Sequence, residues 1–341
     1  MKENLLTHRV RKAWREKKRL VVPLMGFPGL TLTGASIKLA QQNYGEHFRV
    51  LRALADRFHP DVLFPLMDLA VEANAMGRYT VFPVDDSATV VTTAFDEREL
   101  TRIRSIRITF DTRVLGYVET LKLMAIGLPD GILRGAFVIG PYTLAALLVG
   151  AEEAALATLT RPDVLSALCE LTTERIQEYA RMLIAAGAQI ICILEPTAVM
   201  LGPEAFQRFS ADFVYHINNS CKYNDVATIY HTCGNTMHLI GKMAASGVDA
   251  LSLDAEDAGV SLELAARRLE GDTLIMGNVS PSRTLLHGSP AQVRKEVLNR
   301  LRSMDFCSGY ILSTGCDMPQ ETPLENIQAF MDTGRAYRVG A

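Results

Sequence analysis

Along the chain, short apolar runs alternate with longer stretches in which apolar residues recur every three or four positions. The short runs are "LVVPLMG" (20–26), "VLFPLMD" (62–68), "GAFVIG" (135–140), "QIICILE" (189–195), "VATIYH" (226–231), "ALSLD" (250–254), "TLIMGN" (273–278) and "GYILST" (309–314). Their β-branched content and near-continuous hydrophobicity predict strands buried on both faces, as in a parallel sheet covered by helices. Between them, "DVLSALCELTTERIQEYARMLIAAG" (163–187) places apolar residues at i, i+3, i+4 and i+7, the mark of an amphipathic helix.

Eight buried runs alternating with helices predict a (β/α)8 TIM barrel of the α/β class, as a single domain over residues 1–341. The charged stretch 1–19 reads as an N-terminal helical extension. Residues 78–130 fit the alternation least and read as an insertion with a small strand pair or irregular loop, followed by a helix. A doubly wound open sheet is the other arrangement with this alternation. It is disfavoured because no glycine-rich fingerprint follows an early strand, where a dinucleotide fold needs close backbone approach to pyrophosphate.

Composition narrows the function. With 48% hydrophobic residues the chain can bury one large core, and a net charge of −3 with interspersed signs gives no electrostatic grip on nucleic acid. No run reaches membrane-spanning length and the charged start lacks the apolar core of a secretory signal, so a cytoplasmic protein is expected. Six cysteines, at 169, 192, 221, 233, 307 and 316, are then better read as buried thiols or metal ligands than as disulfides.

In a barrel, reacting groups gather where strands end at their carboxyl side. The residues there are Asp68, the turn Gly140-Pro141-Tyr142, Glu195-Pro196, His231-Thr232-Cys233-Gly234, Asp254, Asn278 and Cys316-Asp317. Two thiolates and one imidazole from His231, Cys233 and Cys316 form a donor set suited to Zn²⁺ with a fourth position open. The same three residues also suit a bland reading, as small buried side chains and a satisfied core histidine. Cys169 and Cys192 read as buried, and Cys221 and Cys307 as incidental. Glu195 is either a fourth zinc ligand that substrate displaces, and so a catalytic residue, or a loop ion pair. Asp68 is either a catalytic carboxylate or a helix cap, with Glu72 in the first turn beyond it. The turn at Gly140, Pro141 and Tyr142 opens a helix whose free N–H groups suit an anionic substrate or simply serve packing. Asn278 and Glu72 are further substrate-binding candidates.

Four stretches carry a family resemblance: "DLAVEANAMG" (68–77), "GPYTLAALLVG" (140–150), "YHTCGNT" (230–236) and "STGCDMPQETPLENIQAF" (313–330). Through them the chain resembles the uroporphyrinogen decarboxylase superfamily over nearly its whole length. The last two make it most similar to the corrinoid-dependent branch, which includes the methylcobalamin:coenzyme M methyltransferases. In that branch an H-x-C pair and a distant cysteine bind zinc, and the matching positions here are His231, Cys233 and Cys316. The resemblance implies a zinc enzyme of one-carbon metabolism. A methylcorrinoid (cobalamin) would be the methyl donor, and a thiol such as coenzyme M, or another small molecule such as tetrahydrofolate, the acceptor. With no D-x-H-x-x-G signature in this chain, it also implies a separate corrinoid-binding protein as partner.

The decarboxylases proper hold substrate carboxylates with an arginine-rich N-terminal stretch. Here that region reads "VVPLMGFPGLTLTG" and has no arginine. Asp68, nine residues before Gly77, falls where they carry a catalytic aspartate, so a metal-free lyase is the alternative. A non-catalytic barrel with a structural zinc is the third. The methyltransferase branch often has aspartate-proline where this chain has Glu195-Pro196.

Overall fold

The computed structural model describes residues 3–91, 97–269 and 271–340. Seven strands pair in parallel and in chain order: β1 (Val62–Leu63), β2 (Leu133–Ile139), β3 (Ile190–Leu194), β4 (Ala227–Thr232), β5 (Ala250–Leu253), β6 (Leu274–Val279) and β7 (Tyr310–Thr314). The first apolar run takes the eighth position. Val22 donates its N–H to Leu312 O at 2.8 Å on the β7 side, while Asp61 donates to Val21 O at 3.1 Å on the β1 side. Residues 20–22 thereby join β7 to β1 and close the ring.

Pairing in the first two runs is shorter than their hydrophobicity suggests. Pro23 and Pro65 interrupt them, and a proline has no N–H to give a ladder. Only Val21 and Val62–Leu63 keep strand pairing, and the remainder of each run lies on the barrel as extended chain.

Side chains alternate across the sheet. Val22, Leu24, Val62, Phe64, Ile190, Cys192, Leu194, Ala227, Ile229, Met276 and Ile311 fill the barrel interior as one cluster. The alternate positions, such as Ile191, Ile193, Tyr230, Leu251, Ile275 and Leu312, join the larger core beneath the helices. Helix Leu5–Arg15 stoppers the amino-terminal end, with Leu6 and Val10 in the interior cluster and Asn4 Nδ2 bonded to Asp249 Oδ1 at 2.9 Å. The carboxyl end is left to the loops.

Beyond β1, the strands Thr80–Val81 and Thr89–Val90 pair antiparallel, and helices Glu97–Ser105 and Thr112–Gly127 follow. Residues 92–96 of this stretch lie outside the described residues. Helix Thr112–Gly127 packs on Tyr44–Phe58 and leads to β2, so it occupies a place in the helical ring. The helix anticipated over 163–187 spans Pro162–Ala185. No single described helix is long and apolar enough to cross a membrane.

Candidate metal centre

His231 is the inward-facing residue at the carboxyl end of β4, two positions after Ile229 in the barrel interior. Cys233 follows immediately. Cys316 is delivered by the turn after β7, where a Cβ on Gly315 would lie 2.4 Å from the backbone nitrogen of Ala255. Only glycine lets the chain pass there, and any larger residue would push Cys316 away from His231.

The three donor atoms form a compact triangle. Cys233 Sγ is 3.4 Å from His231 Nε2, Cys316 Sγ is 3.7 Å from the same nitrogen, and the two sulfurs are 3.6 Å apart. Tetrahedral zinc with ordinary Zn–N and Zn–S bonds separates nitrogen from sulfur by about 3.6 Å and sulfur from sulfur by about 3.8 Å. Among the described residues these three alone form such a donor group. His231 is buried, whereas both sulfur-bearing residues are partly exposed, so the triangle opens to the mouth on its sulfur side.

Ser252, directly opposite His231 on β5, places its Oγ 3.1 Å from Nδ1. With the imidazole proton on Nδ1 donated to this hydroxyl, Nε2 is the nitrogen with a free lone pair. Burial opposes protonation of His231, but the nearby Cys316 thiol and the charges of Asp254 and Asp317 outweigh it and raise the imidazole pKa. The hydrogen bond with Cys233, with burial added, pushes the Cys316 thiol well above its ordinary range. Burial also lifts Asp317, beside Cys316, to about 7. Two crowded thiols next to an imidazole gain most from a cation that stabilises their deprotonated form.

Glu195 does not join this group, and its reading as a fourth zinc ligand is corrected. Leu194 faces the barrel interior, so its neighbour Glu195 points outward, beneath the helices. Its Oε1 accepts the N–H of Tyr142 at 2.9 Å and the hydroxyl of Ser210 at 2.7 Å, and its Oε2 accepts the N–H of Thr143 at 2.8 Å. Tyr230 Oη then donates to Ser210 Oγ at 2.5 Å. Burial raises the pKa of this carboxylate against those bonds.

The same contacts correct the anion-site expectation at Gly140, Pro141 and Tyr142. A helix does start there, Pro141–Val149, but an internal carboxylate already takes its leading N–H groups. A Cβ on Gly140 would sit 2.3 Å from the Glu195 carboxyl, so glycine is what lets the two approach. Pro141 O accepts from Thr172 Oγ1 at 3.0 Å.

Asp68 and Glu72 make their contacts with the helix layer and the neighbouring backbone. Asp68 Oδ2 accepts from Tyr117 Oη at 2.9 Å and pairs with the Arg113 guanidinium, both on helix Thr112–Gly127, while Oδ1 takes the Ala70 N–H at 2.9 Å. Glu72 Oε1 accepts the N–H of Ile139 at 2.9 Å, and burial lifts its carboxyl to about 7. Asn278, fully buried, spends its Nδ2 on the carbonyls of Asp254 at 2.8 Å and Val260 at 3.2 Å and keeps an unpartnered Oδ1. Sequence reasoning passed over Ser252 and Arg113. Ser252 carried a usable signal, being the one polar residue before the end of the apolar run "ALSLD".

The uroporphyrinogen decarboxylase (URO-D) family model matches residues 31–337, nearly the whole chain. The chain belongs to this family. Within the URO-D family, the methylcobamide:CoM methyltransferase MtbA of Methanosarcina mazei is 32% identical over 203 residues, covering 59% of this chain and 57% of that protein. The match thus spans somewhat over half the relative's length. A uroporphyrinogen decarboxylase from Paraburkholderia phytofirmans is 27% identical over 304 residues, covering 84% of this chain and 81% of that one. Among solved structures, a methyltransferase from Methanosarcina mazei superposes with a TM-score of 0.81 over 98% of both chains at 22% identity, which shows the shared fold.

Proposed function

We propose that this URO-D family chain is a zinc-dependent methyltransferase. It moves a methyl group from a methylated corrinoid, carried by a separate protein, to a small-molecule acceptor, and a thiol such as coenzyme M is the acceptor that best suits the site. The observation that carries the reading is the His231, Cys233 and Cys316 triangle, whose edges agree with tetrahedral zinc to about 0.2 Å and whose open side faces the mouth. Bound there, zinc supplies the positive charge that keeps an entering thiol deprotonated at neutral pH.

The chain's own residues supply the setting. Ser252 holds the imidazole so that Nε2 faces the sulfurs. Cys192, Leu194, Ile229 and Met276 form an apolar floor that keeps water from reaching the site from below. Two anionic thiolates leave the centre electron-rich, which favours a nucleophilic sulfur over a tightly held one. Tetrahydrofolate has no thiol to activate and is the less suited acceptor. The partner dock is the carboxyl-end mouth, since helix Leu5–Arg15 blocks the other end. The same reading puts the enzyme in the cytoplasm, where free thiols persist.

A metal-free decarboxylase is favoured by one observation, the longer span over which decarboxylases align. Against it, Asp68 is tied to Arg113, Tyr117 and the Ala70 amide. A purely structural zinc is disfavoured by the partial exposure of both sulfur ligands. Elemental analysis of wild type and Cys316→Ala, with methylcobalamin demethylation followed by absorbance in the presence of coenzyme M, tests the proposal. About one zinc per chain, lost in the variant together with thiol-dependent demethylation, is expected. A zinc-free wild type, or a metal-free variant with full activity, overturns it.

A further inference from the structure

Between helices Tyr44–Phe58 and Thr112–Gly127 lies a cavity of about 360 Å³, lined among others by Gln41, Tyr44, His47, Phe82, Arg113 and Tyr117. Its walls hold donors without acceptors. Arg113 is 9% exposed and gives Nη2 to Asp68, but Nε and Nη1 are buried and have no partner among the described residues. Gln41, 4% exposed, has an unpartnered Nε2 in the same state. The Phe82 ring lies over the guanidinium, 4.7 Å from its carbon to the ring centroid.

Charge decides what the donors want. Asp68 already neutralises Arg113. His47 accepts the Leu66 N–H through Nε2 at 2.9 Å, and burial holds its imidazole near 3, so it stays uncharged. An entering anion would therefore be a second negative charge beside Asp68 with no cation of its own, a costly arrangement away from water. An uncharged oxygen acceptor meets the same N–H groups without that penalty. The rings of Tyr44, Phe82 and Tyr117 offer flat apolar surface for the rest of such a molecule.

We propose that this cavity is a second binding site, for a small planar ligand presenting uncharged carbonyl oxygen, an amide or a lactam, to Arg113 and Gln41. The site is independent of the metal reading, because it lies in the helix layer and uses none of the three candidate ligands.

Calorimetric titration of the full chain as purified with benzamide, and separately with benzoate, tests it. Saturable benzamide binding is expected, at least tenfold tighter than benzoate. Gln41→Leu keeps the volume, removes the donor and should weaken benzamide at least tenfold. If that variant fails to fold, Phe82→Leu, at a half-buried position, should still weaken it severalfold. Zinc content of each variant reports separately on the metal centre. Benzoate binding as tight as benzamide, no saturable binding of either, or unchanged affinity in the variants overturns the proposal.

Discussion

Replacing Glu195 with Gln keeps the shape of the side chain while removing its charge and turning one acceptor into a donor. In the native fold three donors converge on the carboxylate: the N–H groups of Tyr142 and Thr143 and the hydroxyl of Ser210. The amide oxygen can keep two of them, but its NH₂ must then face the remaining N–H. One buried donor left unmet costs about 1–3 kcal/mol. Glu195→Leu gives up all three bonds and costs about 3–6 kcal/mol, the lower end reflecting the desolvation that the buried charge no longer incurs. With an unfolding entropy of roughly 0.7 kcal/mol/K for a chain this long, the Leu variant should melt about 4–8 °C lower and the Gln variant about 1–4 °C lower.

The decisive assay pairs calorimetric melting with elemental analysis of the same preparation. Because Glu195 points away from the barrel axis, both variants should keep the zinc content of wild type while losing thermal stability. A Gln variant that loses zinc yet melts like wild type would refute the assignment of Glu195 to the outer face.

Ser252→Ala removes the group beside His231 Nδ1, and zinc affinity measured by chelator competition should fall about tenfold with the stoichiometry at saturating metal unchanged. Unaltered affinity would show that the serine does not orient the imidazole. Glu72 titrates near 7 in the fold against 4.5 ordinarily, so its stabilising share is full below about pH 4.5 and is lost as pH rises through about 7. Glu72→Gln keeps the acceptor for Ile139 N–H without the ionisation. By urea unfolding it should match wild type at pH 4.5 and exceed it by up to about 3 kcal/mol at pH 8. A gap independent of pH would contradict this account.

Much of the barrel can be read from the chain because each parallel strand announces itself as an apolar run, and the metal candidates because they stand directly after such runs. The facing of Glu195 cannot be read in this way. In "QIICILE" every residue from Ile190 to Leu194 is buried, since one face meets the barrel interior and the other the helices. A run that is apolar on both sides carries no alternation to say which way its last residue points. Only the pairing of Leu194 with His231, and the membership of Cys192 in the interior cluster, fixes the direction. The Asp68 contact with Arg113 spans 45 residues and depends on a helix meeting the extended chain beyond β1. No local pattern encodes it.

The sheet therefore separates two polar systems that the sequence lists side by side. Inward positions at the carboxyl end carry His231 and Ser252, and the outward neighbours Glu195 and Tyr230 lock helix Pro141–Val149 and the turn at Ser210 against the sheet. One residue's shift along β3 or β4 would exchange the two sets, placing a carboxylate in the mouth and an imidazole in the helix layer. On the proposed methyltransferase reading, an internal carboxylate already takes the leading N–H groups of that helix, so any charged end of an acceptor would be met by groups on the loops. Loop residues at the mouth, rather than the strand-borne set, are then where acceptor preference can change without disturbing the metal centre.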